Sequence, residues 1–161
     1  RGETDLPDSV LERLDIAIAS IHMPCFKDER TIDNVTAAYE KVMEHPYVDI
    51  IGHPDDGRFP VDMKRLVKKA KETGTLLEVN NSSLRPEGFR ENTKENCLEM
   101  VKECKAQGVM IVLGSDSHVD ADIAEYPYAE EILRETDFPE ELVANVSLEK
   151  LKACIKHGKK L

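Results

Sequence analysis

The chain has 161 residues and a hydrophobic content of 40%, which is enough for one ordinary domain with a buried core. Its 32 acidic residues outnumber the 22 Lys and Arg residues, for a net charge of -10. This balance argues against a sequence-independent grip on nucleic acid or on an anionic membrane surface, because both need clustered positive charge. No apolar stretch is long enough to cross a bilayer and no signal-peptide pattern is present, so we expect a single domain over residues 1–161 in the cytoplasm.

Four short apolar runs alternate with amphipathic segments, a pattern that predicts β–α units and a parallel sheet. The predicted strands are 14–21, 48–52, 75–80 and 109–115. Apolar residues at helical spacing predict buried helix faces, which are Ile32, Val35, Tyr39, Val42 and Met43; Val61, Leu66, Val67 and Ala70; Cys97, Met100, Val101 and Cys104; and Ala124, Tyr128, Ile132 and Leu133. The predicted fold class is therefore α/β, with helices flanking parallel strands.

Glycine and cysteine positions refine this prediction. Gly74 and Gly108 follow the second and third predicted helices, where a left-handed C-cap costs glycine least. Ser147 is predicted to start the last helix. The four cysteines contain no C-x-x-C pair, so we expect them to be reduced, with Cys97 and Cys104 buried as small apolar residues.

Side chains that bind metals follow three of the predicted strands. His22 follows the first strand, His53 the second, and Asp116 and His118 the fourth. Since parallel strands end at a common edge, we expect these side chains to converge in one cleft, although a single histidine is more often structural. A mixed His and Asp cluster is typical of hydrolytic Zn, Fe or Mn sites. Glu78, inside the third strand, is predicted to accept the other ring N–H of a metal-binding histidine.

Further polar residues near these strand ends are candidates for substrate binding. Asn80, Asn81 and Ser82 end the third strand, where they can line a pocket or make turn hydrogen bonds. Arg58 and Arg85 lie in β–α loops, where an arginine can hold a phosphate through two hydrogen bonds or simply be solvated. The sequence alone leaves both alternatives open.

Four segments carry a resemblance to a known family: Ile21-His22-Met23-Pro24, Ile51-Gly52-His53-Pro54, Leu77-Glu78-Val79-Asn80-Asn81-Ser82-Ser83 and Leu113-Gly114-Ser115-Asp116-Ser117-His118. They resemble the polymerase and histidinol phosphatase (PHP) family, most closely its stand-alone bacterial phosphoesterases. The match spans nearly the whole chain, and the G-S-D-S-H and N-N-S-S runs are its most specific motifs.

The resemblance implies a distorted (β/α)7 barrel whose strand ends bind up to three zinc, manganese or iron ions and hydrolyse a phosphorylated small molecule. It implies that His22 and His53 bind one metal, Asp116 a second and His118 a third, with Asp116 and His118 acting in catalysis. A histidinol phosphatase or a nuclease-type activity would use the same metal residues, and a non-catalytic metal-binding module is the alternative outside enzymes.

The sequence also departs from the family pattern. Family members begin with a strand that carries an H-x-H motif and have a metal-bridging glutamate after the third strand, and neither is present here. The chain opens at Arg1-Gly2-Glu3-Thr4, so it resembles the C-terminal part of the barrel. We therefore expect the first strand to have an unpaired edge that requires the missing N-terminal segment or self-association, and we expect the fragment alone to be inactive.

Overall fold

The computed structural model describes residues 2–156, and within them a four-stranded parallel sheet forms the centre of the fold. The strands are β1 (Ile18–Ala19), β2 (Ile50–Ile51), β3 (Leu76–Asn80) and β4 (Ile111–Gly114), in the order β1-β2-β3-β4. Register pairs Ile50 with Leu76 and Asn80 with Gly114. The predicted α/β class with parallel strands is confirmed.

Helices connect the strands and extend the chain beyond them. They are α1 (Asp8–Leu11), α2 (Ile32–Met43), α3 (Met63–Thr73), α4 (Thr93–Gln107), α5 (Pro127–Glu135) and α6 (Leu148–Cys154). Gly74 and Gly108 end α3 and α4 with φ of 66° and 69°, which confirms the predicted left-handed caps. The Ser147 side chain accepts the Lys150 backbone N–H at the start of α6, also as predicted. Among residues 2–156, no helix is both long and apolar enough to cross a membrane.

The two faces of the sheet pack against different layers, because successive strand residues point to opposite sides. Leu77 and Val79 of β3 belong to the main core with the buried faces of α2, α3 and α4. Leu76 belongs to a smaller core on the other face, together with Ile50, Val112 and Ala144. The predicted α4 face is fully buried and comprises Cys97, Met100, Val101 and Cys104.

The structure differs from the predicted elements mainly at their ends. The first strand is Ile18–Ala19 and not 14–21, because the chain turns after α1 and leaves Leu14 38% exposed. Ile32 is 53% exposed in the first turn of α2, while Val61 and Ala124 precede α3 and α5. Helical spacing also includes residues that flank a helix, so it overestimates the length of the helix. Val61 still packs against the main core, whereas Ile32 is largely exposed.

The edge of the sheet at β1 is open in the described part of the chain. β1 pairs with β2 on one side, and within residues 2–156 no strand pairs with its other side. Ile18 on this strand is 57% exposed. An unpaired edge with an exposed apolar side chain is a surface on which another strand can pair. The requirement for a further segment or for a second copy remains a prediction.

Candidate functional site

The candidate metal-binding side chains follow the carboxyl ends of β1, β2 and β4. The rings of His22 and His53 are in edge contact, with 4.9 Å between their centroids. His53 is buried, whereas His22 is exposed. The Nδ1 atom of His118, which is also exposed, lies 3.0 Å from the backbone oxygen of Asp116. The strand ends thus bring His22 onto His53, whereas the contact of His118 is a local one, with the backbone oxygen of the residue two positions earlier.

An unusual backbone conformation orients the side chains of two of these residues. His53 and Asp116 have φ of 34° and 48°, in the left-handed region that residues other than glycine rarely adopt. Each conformation costs about 1 kcal/mol or more, which the surrounding structure must offset. Both residues occupy the second position after their strand, at Gly52-His53 and Ser115-Asp116. The sharp turn directs each side chain across the strand ends.

Glu78 connects the ends of β2, β3 and β4. Its Oε2 accepts hydrogen bonds from the His53 backbone N–H at 2.7 Å and from Asn80 Nδ2 at 3.1 Å. The bond with His53 therefore uses the backbone N–H, where the sequence led us to expect the ring. A Cβ built on Gly114 would lie 1.9 Å from Glu78 Oε1, so glycine at this position makes room for the carboxylate. Burial raises the pKa of Glu78, although its hydrogen bonds oppose that shift.

Arg90 is the residue of this site that sequence reasoning missed. Its side chain is 8% exposed, and Nη1 donates to Ser83 Oγ at 2.7 Å and to Asn80 Oδ1 at 3.3 Å. Nη2 donates to Asp116 Oδ2 at 3.0 Å. Arg90 thereby links the end of β3 to the residues after β4. In the sequence it is one more loop arginine, with no local signal that sets it apart from Arg85.

The two arginines predicted from the sequence to bind phosphate are paired with carboxylates. Arg58 donates from Nε to Asp56 Oδ1 at 2.9 Å and from Nη2 to Asp56 Oδ2 at 2.5 Å. Arg85 Nη2 donates to Asp122 Oδ2 at 2.6 Å. An arriving phosphate would have to compete with these carboxylates or use the remaining N–H groups. Phosphate binding by Arg58 and Arg85 remains a prediction.

The three polar residues at the end of β3 have different environments. Asn81 is buried, and its Oδ1 accepts the backbone N–H groups of Tyr128 at 2.9 Å and Ala129 at 3.1 Å, at the start of α5. The Asn80 side chain bonds to Glu78 and Arg90, within the site. Ser82 lines an open cavity of about 270 Å³ beside Arg90.

Replacing Asn81 with Ala is expected to lower the free energy of unfolding by about 1–3 kcal/mol, because two backbone donors at the start of α5 lose their acceptor. Urea denaturation measures this change. The control is Ser147→Ala, which removes the more exposed cap of α6 and should cost only about 0.5–1 kcal/mol. Equal costs for the two variants would contradict a structural role for the Asn81 side chain.

The electrostatic environment keeps His53 neutral. Burial lowers the pKa of His53 to about 4, the positive charge of Arg90 and the electrostatic interaction with His22 add to that effect, and Asp116 opposes it. At neutral pH the imidazole therefore carries a free lone pair. The neighbouring Asp55 is also unusual, because burial raises its pKa to about 7. The Asp55-Asp56 pair directly after His53-Pro54 is a sequence signal for this polar interior.

The donor chemistry of the site fits a divalent cation. His53 Nδ1 is buried and has no hydrogen-bond partner within residues 2–156, so it is free to bind a metal. The two imidazoles in contact are borderline donors. The Asp116 carboxylate, which acts electrostatically on His53, is a hard donor. Zinc and manganese accept both kinds. In the described residues, however, no group of three or more His, Cys, Asp or Glu is arranged to hold a cation. Asp116 is paired with Arg90 in this arrangement.

The chain is similar over its whole length to bacterial proteins described as probable phosphatases. It is 46% identical over 161 residues to one from Clostridium novyi, 42% over 158 residues to one from Acetivibrio thermocellus, and 38% over 159 residues to one from Thermoanaerobacter sp.. These alignments cover 100%, 98% and 99% of this chain and 65%, 64% and 64% of those relatives. The chain therefore spans just under two thirds of the length of the curated relatives it matches. No protein-family model matches the chain.

Proposed function

We propose that this chain carries the catalytic strand ends of a metal-dependent phosphoesterase of the PHP family, built on part of a distorted (β/α)7 barrel. The names of its relatives support a phosphatase, and the G-S-D-S-H and N-N-S-S motifs support this family. The substrate is a phosphorylated small molecule. Its hydrolysis adds water across the P–O ester bond and releases an alcohol and inorganic phosphate.

One observation carries the proposal: an unbroken series of contacts joins the ends of all four strands. His22 touches His53, the His53 backbone bonds to Glu78, and Glu78 bonds to Asn80. Arg90 then connects Asn80 to Asp116, and Asp116 bonds to His118 through its backbone. Residues spread over nearly one hundred positions of sequence are thus held in one network of side chains whose chemistry suits metal and phosphate.

In this proposal His22 and His53 hold one cation through their imidazoles, and Asp116 and His118 supply ligands for further cations. When bound, zinc, manganese or iron would supply Lewis-acid activation of water and neutralisation of phosphate charge. Burial keeps the His53 lone pair available, because its pKa of about 4 lies well below neutral pH. The left-handed backbone at Asp116 presents its carboxylate toward Arg90 and the end of β3.

Arg90 has the role of phosphate recognition. Its guanidinium is held by Ser83, Asn80 and Asp116, so its orientation is fixed before substrate arrives. A planar guanidinium matches two phosphate oxygens, so a substrate phosphate would compete with the Asp116 carboxylate for Arg90. Asp116 would in turn be available as a ligand to a cation.

The ligand set is completed from outside the described residues. The cluster falls short of a group of three protein ligands within residues 2–156. Water, substrate oxygens and a further protein segment would supply the remainder, and the open side of β1 is where a further strand or a second copy of the chain would pair. The isolated chain would then have much lower activity than the completed site.

The same shortage of ligands favours a second candidate, a metal-binding module without catalysis. Among enzymes, a histidinol phosphatase and a nuclease-type activity share the proposed metal residues and would differ from the phosphoesterase in their substrate loops. Turnover of a simple aryl phosphate separates the enzyme from the module, and bound metal is common to both.

The test compares two histidine variants of the purified full-length protein, in which the ligand set is complete. His22→Ala is expected to reduce bound zinc or manganese, and to reduce manganese-stimulated hydrolysis of 4-nitrophenyl phosphate by at least about tenfold. His45→Ala is the matched control, since His45 bonds to Asp8 and not to the cluster. Metal binding without hydrolysis in the wild type would favour the module, and unchanged metal content in His22→Ala would contradict the proposed site.

A further inference from the structure

Phe89 is the most exposed of the large apolar side chains in residues 2–156, with 74% of its surface accessible. It lies in the loop between β3 and α4, directly before Arg90. A single exposed apolar residue requires no explanation in itself. Its neighbours distinguish Phe89, because they belong to the candidate site.

Two guanidinium groups hold the Phe89 ring in place. The Cζ atoms of Arg58 and Arg90 lie 4.9 Å and 5.4 Å from the ring centroid, within the range of cation–π attraction. Both arginines are themselves fixed, Arg58 by Asp56 and Arg90 by Ser83, Asn80 and Asp116. The ring is therefore a positioned aromatic surface at the rim of the site.

An open cavity joins Phe89 to the proposed phosphate-binding arginine. The cavity has a volume of about 270 Å³ and is lined by Ser82, Arg85, Glu87, Gly88, Phe89 and Arg90. A cavity of about 150 Å³ is enough for a benzene ring. The Nε atoms of Arg85 and Arg90 are buried and have no hydrogen-bond partner in the described part of the chain. These buried atoms do not face the open space, and Arg90 Nε lies 3.9 Å from Asp56 Oδ2. The cavity thus combines space for a six-membered ring with a flat apolar wall beside the guanidinium of Arg90.

We propose that Phe89 is a specificity-determining residue that selects phosphate esters with a flat, aromatic or heteroaromatic leaving group. The inference rests on the proposed function. With the phosphate held by Arg90, the leaving group extends into the cavity and stacks on the Phe89 ring and the adjacent guanidinium planes. Offset aromatic stacking and guanidinium stacking both favour a planar π system over an alkyl chain of similar size.

Binding of two phosphonates tests this inference without depending on turnover. Phenylphosphonate and methylphosphonate have a P–C bond in place of the ester, and titration calorimetry of the manganese-loaded protein gives their Kd values. We expect the wild type to bind phenylphosphonate about fivefold more tightly. Phe89→Ala should remove that preference and leave the Kd for methylphosphonate unchanged, while Phe89→Tyr should retain it.

Leu148→Ala is the matched control, because Leu148 is another exposed apolar residue, on α6 and outside the cavity. It should keep the wild-type preference. The inference would be overturned if the wild type bound the two phosphonates equally well or bound neither of them. It would also be overturned if the preference survived in Phe89→Ala.

Hydrolysis of 4-nitrophenyl phosphate separates this inference from the proposed function. In Phe89→Ala we expect the KM for this aryl ester to rise by more than the KM for an alkyl phosphate, with kcat changing less than KM. In the full-length protein, where the ligand set is complete, a wild type that prefers phenylphosphonate but hydrolyses neither ester would support the aromatic-binding role of Phe89 and overturn the phosphoesterase proposal.

Discussion

Replacing Asp116 with Asn in the full-length, metal-loaded protein is expected to reduce phosphatase turnover by at least about 100-fold. The change removes one negative charge and keeps the shape of the side chain. Asparagine adopts the left-handed conformation required here, with φ of 48°, more readily than most residues. Its amide oxygen can still accept the hydrogen bond from Arg90. The expected loss of turnover therefore reports the loss of the Asp116 charge and not a loss of folding of the protein.

Steady-state hydrolysis of 4-nitrophenyl phosphate and metal analysis of the same samples measure this effect. Asp33→Asn is the matched control, because Asp33 is an exposed carboxylate paired with Arg65 on the helical side of the fold. It should keep wild-type turnover and metal content. Normal turnover in Asp116→Asn would refute the assignment of Asp116 to the catalytic site.

Replacing Gly114 with Ala is expected to lower the free energy of unfolding by about 1–3 kcal/mol and to disrupt the site at the same time. The new Cβ would lie 1.9 Å from Glu78 Oε1 and 2.8 Å from its Cδ, so the carboxylate must move. Glu78 is held by the His53 backbone N–H and by Asn80, and its movement breaks the contacts that position both. We therefore expect reduced metal affinity together with reduced stability.

A double-mutant cycle with Glu78→Ala isolates the steric cause. In the Glu78→Ala background the new methyl group of Gly114→Ala meets no carboxylate, so the added cost should fall to a few tenths of a kcal/mol. Urea denaturation of the four proteins gives the coupling free energy. The same cost of Gly114→Ala in both backgrounds would show that Glu78 is not the obstacle.

The layers of the fold were predictable from the sequence because they depend on local periodicity. The spacing of Cys97, Met100, Val101 and Cys104 identified a helix face that is fully buried, and the two glycines after α3 and α4 marked their ends. Periodicity did not predict where an element stops. The first strand is Ile18–Ala19 and not 14–21: Ala17 still accepts backbone hydrogen bonds from Asp49 and Ile50, but the ladder with β2 begins only at Ile18.

The candidate site was predictable only in part, for a related reason. His22, His53, Asp116 and His118 were found because they directly follow apolar strands. Arg90 was missed because its importance comes from partners 7, 10 and 26 positions away, which no local pattern encodes. Asn81 shows the opposite case, since the sequence placed it at the site and the structure shows its oxygen holding the start of α5.

Anomalous diffraction from crystals of the protein grown with zinc tests the central claim most directly, because it locates the metal without reference to activity. We expect a zinc peak between the rings of His22 and His53, within about 2.0–2.1 Å of one nitrogen of each. Zinc bound only at other places on the protein, with these two imidazoles free, would contradict the account.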